Sequence, residues 1–200
     1  STTADMRNPT DLSSIGQSST DGSNARVRIA EGSLAKTIYA VNGSTSIPSR
    51  LKPGDDVTYR LQYTVPNTDF GSLQIDDNLP LPMFSAASVN TFDNTYPYSG
   101  TAPAAGTASF GPADTLYGYS NEVPDISHPG GNVVRFSWDE QSDNPGNHTR
   151  TIDILFTVKI GNQPYAPGLF ITNHAPSYEN NVTSTATNTV INSIEMEIPD

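Results

Sequence analysis

The chain has 200 residues, 21 acidic against 10 basic, and a formal charge of −11; phosphate backbones and anionic lipid headgroups would repel it, which excludes nucleic-acid and membrane-surface roles. It has no cysteine, which removes disulfides, thiolate nucleophiles and cysteine-ligated zinc together. Pro and Gly supply 16 and 15 residues, and almost no stretch places apolar residues at i, i+3, i+4 and i+7, so helix is a minor component and one all-β domain is expected.

Residues 1–26 are rich in Ser, Thr, Asp, Asn and Gly, with only Met6, Leu12 and Ile15 as large apolar anchors. They read as a linker or a leader from a preceding repeat. From residue 27 to the end, strand-like runs recur at 34–41, 57–65, 73–79, 132–138, 151–160, 169–173 and 190–198, the inventory of a β-sandwich. In 57–65 every odd position is apolar and every even one polar; in 151–160 Ile152, Ile154, Phe156, Val158 and Ile160 alternate in the same way. These are the firmest strands, and Tyr59, Leu61, Tyr63, Ile154, Phe156 and Val158 are expected in the core. Between about residues 82 and 131, Pro97, Pro103, Pro112, Pro124 and Pro129 break any long strand, while Tyr96, Tyr98, Phe110, Tyr117 and Tyr119 offer anchors to the sandwich. This segment reads as a long Pro/Gly/Tyr-rich insertion, either a ligand surface or a cover for a sheet edge.

Three stretches carry a recognisable rhythm. They are Leu34-Ala35-Lys36-Thr37-Ile38-Tyr39-Ala40, then Lys52-Pro53-Gly54-Asp55-Asp56-Val57-Thr58-Tyr59, then Leu73-Gln74-Ile75-Asp76-Asp77-Asn78-Leu79-Pro80. With Leu169-Phe170-Ile171-Thr172-Asn173 near the C-terminal end, the order resembles the repeat modules of large bacterial cell-surface proteins, related to isopeptide-forming fimbrial and adhesin domains. The resemblance spans about residues 27–198; the long insertion departs from the shortest members. It implies an immunoglobulin-like β-sandwich used as a stalk or adhesive unit, extracellular, at the cell surface, with neighbouring repeats of the same polypeptide as partners.

Parity independently singles out three polar residues. Lys36 shares its face with Leu34 and Ile38, Asp77 with Leu73, Ile75 and Leu79, and Asn173 with Leu169 and Ile171. An amine, a carboxyl and a carboxamide pointing into one core need each other as partners. Burial lowers the lysine pKa and raises that of the aspartate, giving a nucleophilic amine and an acid able to polarise the Asn173 carbonyl and pass a proton to departing ammonia. The expected product is a Lys36–Asn173 isopeptide bond, and the resemblance assigns the same roles, with Asp77 rather than Asp76 as helper. The alternative has Lys36 snorkelling at a strand end while Asp77 and Asn173 cap turns.

No nucleophile–base–orienter set stands out, so turnover catalysis is not expected; at most the chain performs a single-turnover autocatalytic cross-link. An all-β glycoside hydrolase would need two carboxylates facing each other in an aromatic cleft. His128, His148 and His174 lie in loop-like contexts and read as surface residues, and Trp138 reads as core. No cofactor or metal is expected, although the acidic pairs Asp55-Asp56, Asp76-Asp77 and Asp139-Glu140 keep calcium open without an EF-hand spacing. The competing function is a ligand- or glycan-binding adhesin domain that uses the 82–131 insertion to meet a host or surface ligand.

Overall fold

A computed structural model of the chain describes residues 2–7, 14–21, 32–66, 69–141, 148–162, 166, 168–180 and 188–196. The chain divides into two compact units, Ser1–Ala30 and Glu31–Asp200. In the first, β1 (Thr2–Arg7) pairs antiparallel with β2 (Ser14–Asp21).

The second unit contains, in chain order, β3 (Ser33–Val41), β4 (Arg50–Leu51), β5 (Asp56–Val65), β6 (Leu73–Asn78), β7 (Thr91–Asp93), β8 (Thr107–Phe110), β9 (Asp125–Ser127), β10 (Val133–Trp138), β11 (Arg150–Lys159), β12 (Phe170–Glu179) and β13 (Asn188–Met196). They form a five-stranded sheet, β3-β5-β11-β8-β7, and a six-stranded sheet, β4-β13-β12-β6-β10-β9. The pairings are antiparallel except β7 with β8 and β13 with β4. This is the all-β sandwich expected from the sequence. Gly54, at φ +87°, turns the chain into β5, where Asp55 accepts the Lys52 N–H at 2.7 Å.

The alternating positions of the two long central strands meet in the core. Tyr59, Leu61 and Tyr63 of β5 and Ile154, Phe156 and Val158 of β11 are all buried, as is Trp138. Tyr59 stacks on Phe156 at 5.6 Å between ring centroids, and Phe136 reaches Phe156 from the opposite sheet at 5.7 Å. In β11 the other face is buried too: Asp153, Leu155 and Thr157 are no more than 2% exposed. The period-2 pattern predicts water on that face, and the insertion replaces it.

The 82–131 insertion differs from the loop expected of it. It contributes β7 and β8 to one sheet and β9 to the other, with single helical turns at Ala86–Ser88 and Tyr117–Ser120. Its prolines limit the strands to three or four residues, which is why period-2 reading cannot detect them. Phe110 anchors the segment, with Phe92, Tyr96 and Tyr117 packed around it at 5.0, 5.6 and 4.6 Å. Asn132 closes its base: the Nδ2 group donates to the Leu79 and Phe84 carbonyls, and Oδ1 accepts the Ala86 N–H.

A second anchor is electrostatic. Arg60 grips Asp153 with two parallel hydrogen bonds, Nε to Oδ1 at 2.9 Å and a terminal nitrogen to Oδ2 at 2.7 Å. Asp153 Oδ2 also accepts the Ala113 N–H, its carbonyl accepts the Gly111 N–H, and its own N–H donates to Asp114. Gly111 is required by this approach, because a Cβ there would overlap the Asp153 carboxylate. Burial pushes Asp114 up to about 6, against the stabilising N–H groups of Asp153 and Tyr117. Between its ordinary 3.8 and about 6 the folded chain therefore retains a proton that the unfolded chain has released. Stability from this group must fall as pH rises through that window. Urea titrations of wild type and Asp114→Asn should show the wild-type advantage shrinking between those two pH values; a constant difference would contradict the assignment.

Candidate functional site

The site is built across the sandwich. Lys36 comes from β3, the edge of the five-stranded sheet, while Asp77 and Asn173 come from β6 and β12, neighbours in the six-stranded sheet. His174 stands opposite Asn78 in that pairing and Ser177 opposite Ile75. Counting along the register, Ala175 faces Asp77, and Asn173 lies diagonal to it on the same inward face, within side-chain reach.

Lys36 Nζ donates to Asp77 Oδ2, and neither side chain has any exposed surface. The ammonium also sits 4.7 Å from the centre of the Tyr59 ring. Asn173 is fully buried. Its carboxamide lies close enough to Asp77 and to the Tyr59 hydroxyl to influence both, yet neither Oδ1 nor Nδ2 completes a hydrogen bond of normal geometry, and Asp77 Oδ1 is also without one. Buried polar atoms left in this state are costly.

Burial governs the electrostatics. It brings the Lys36 ammonium down to about 8, against the opposing pull of Asp77, and pushes the Asp77 carboxyl up, with Lys36, Asn173 and His174 opposing. Both shifts bring the neutral amine and neutral acid closer in energy to the ion pair.

The structure thus brings Lys36 and Asp77 into contact and sets Asn173 beside them. It does not place Lys36 at a snorkelling strand end or leave Asp77 and Asn173 at turns, as the alternative had it. Asp76 points to the other face, where Arg135 holds it with two bonds of 2.8 Å. His128 and His148 are exposed, whereas His174 is half-buried beside Asn78, its Nδ1 3.3 Å from the Asn78 amide nitrogen. Sequence reading placed Tyr59 in the core but missed its hydroxyl as a neighbour of this site. The signal was present, since Tyr59 carries a polar group inward on a strand of strict alternation. Among the described residues, no helix is long and apolar enough to cross a membrane.

No protein-family model matches the chain, and no curated protein matches it by sequence. Its fold is similar to those of pilin and adhesin modules. The major pilin subunit BcpA of Bacillus cereus is 13% identical, with a TM-score of 0.44 over 98% of this chain and 46% of that one. The 35 kDa C-terminal fragment of the major pilin GBS80 of Streptococcus agalactiae is 11% identical, with a TM-score of 0.42 over 84% and 56%. The C-terminal domain of the antigen I/II-family protein AspA of Streptococcus pyogenes is 16% identical, with a TM-score of 0.45 over 86% and 46%. The chain spans about half the length of each.

Proposed function

We propose that the chain is a structural stalk or adhesin module of an extracellular bacterial surface protein, reinforced by a Lys36–Asn173 isopeptide bond that it forms itself. Neighbouring repeats of the same polypeptide are its partners, with residues 1–26 as the connection to one of them. The observation that carries this reading is the Lys36–Asp77 pair, sealed in the core beside a carboxamide with no satisfying partner.

The chemistry balances without an added reagent. The Lys36 ammonium passes a proton to Asp77, and the neutral Nζ attacks Asn173 Cγ. The Nζ–Cγ bond forms, the Cγ–Nδ2 bond breaks, the Asp77 proton leaves with the nitrogen as ammonia, and the proton that Nζ sheds on becoming an amide returns to the Asp77 carboxylate. Ion pair and neutral pair hold the same number of protons, so the reaction should run on a plateau between the two macroscopic pKa values of the pair and slow on either side. Folding supplies the proximity that makes amide exchange feasible.

Loss of ammonia makes intact mass the test: the folded chain should weigh about 17 Da less than its sequence mass, and Asp77→Ala should fold at full mass because it lacks the proton shuttle. A wild-type chain at full mass leaves a plain structural module.

The adhesin alternative has one feature in its favour, a polar cleft within the insertion lined by Asp93, Thr95, Tyr98, Ser99 and Thr101. Its volume is about 170 Å³, below the roughly 300–1,000 Å³ of ordinary ligand pockets. The buried site therefore takes precedence.

A further inference from the structure

We infer that the Tyr59 hydroxyl is the hydrogen-bond donor that stabilises the oxygen of the Asn173 carboxamide while Lys36 attacks it. This inference rests on the isopeptide reading and adds a second participant to it. Asp77 has one proton to give, and the departing nitrogen needs it. As Nζ bonds to Cγ, negative charge collects on Asn173 Oδ1, and in a water-free core that oxygen must find a donor within the protein.

Tyr59 is placed for this. Its ring lies under the Lys36 ammonium, 4.7 Å from Nζ, and its hydroxyl lies within reach of the Asn173 carboxamide. Both ends of that carboxamide still lack a well-formed hydrogen bond, and a half-turn about χ2 exchanges them without changing the outline of the side chain. Contacts loose before reaction commonly tighten in the transition state. The ring cannot drift, because Phe156 stacks on one side and Phe84 meets it edge-on at 6.1 Å. Burial, reinforced by the charge of Asp77, holds the phenol far above its ordinary range. It stays protonated, a donor rather than an acceptor, wherever Lys36 and Asp77 are competent.

Tyr59→Phe tests this while keeping the ring. Full-length chains made by cell-free synthesis would be sampled by intact mass after release, with near-ultraviolet dichroism to verify folding. Tyr63→Phe serves as control, since Tyr63 is another buried tyrosine, two residues along the same strand.

Wild type and Tyr63→Phe should lose about 17 Da at similar rates, and Tyr59→Phe should do so about a hundredfold more slowly, the usual effect of removing one oxyanion donor. Its pH–rate profile should be lowered throughout, with both limbs in place, because Lys36 and Asp77, faced by His174, set those limbs and Tyr59 does not titrate there. Equal rates in wild type and Tyr59→Phe, equal slowing in both tyrosine variants, or a displaced pH limb would overturn the inference and leave the isopeptide reading intact. Wild type remaining at full mass would overturn both.

Discussion

Asn173→Ala is expected to lower the unfolding free energy by about 5 kcal/mol, because it removes the proposed cross-link while leaving the Lys36–Asp77 pair in place. The two residues are 137 positions apart (173 minus 36). Closing a loop of that length restricts the unfolded chain, and the chain-entropy relation for a covalent staple gives the figure quoted. With a urea dependence near 2 kcal/mol per molar for a domain of this size, the midpoint should fall by about 2.5 M. Lys36→Ala should lose the same bond and also leave Asp77 alone in the core, where it can shed its charge by taking up a proton. Asp77→Ala leaves a lone buried lysine, which escapes by losing one. The three variants should therefore cluster well below wild type. Equal urea midpoints for wild type and Asn173→Ala, with equal agreement to their sequence masses, would show that no bond had formed. The bond would join β3 to β12 across the two sheets, so a pull on the chain could not extend the residues between them. That suits a tethered module.

Asp153→Ala should cost about 3–5 kcal/mol, the range for removing one partner of a buried ion pair. The Asp153 side chain has no exposed surface, while that of Arg60 is 20% exposed. The guanidinium can turn toward water, which favours the lower end. The substitution also strips the Ala113 N–H of its acceptor, so damage should concentrate in the insertion. Limited proteolysis should reveal faster cleavage between residues 93 and 117 in the variant, while β5 and β11 stay protected. Asp153→Asn should lie between the two, since a carboxamide can accept the Ala113 N–H but cannot match both guanidinium donors. A loss under about 1 kcal/mol, the scale of an exposed pair, would mean that the anchor is dispensable.

Much of the fold was legible before any coordinates. The alternation in 57–65 and 151–160 identified the two central strands, now Asp56–Val65 and Arg150–Lys159, and the side of each that faces the core. Parity separated Asp77 from Asp76, because neighbouring residues on a strand point to opposite faces; the two carboxylates indeed meet different cations, Lys36 inside and Arg135 outside. The strand 169–173 was read too short, since Phe170–Glu179 passes through Pro176. Pro176 lies inside a strand with partners on both sides, a place proline seldom takes.

What composition and periodicity determined are properties of single strands: which residues alternate, which face is apolar, and the sign of the net charge. What only the tertiary structure decided are the meetings between strands distant in the chain. The insertion became part of both sheets because three- and four-residue strands acquire stability from the partners they pair with, and carry too few residues for a period of their own. Asp153 sits on the face that alternation assigns to water, and only the arrival of residues 111–114 makes it a buried partner for Arg60. Tyr59 could be read as core from its strand alone, but the proximity of its hydroxyl to Asn173, 114 positions away (173 minus 59), depends on how two sheets stack, and no local pattern encodes that distance.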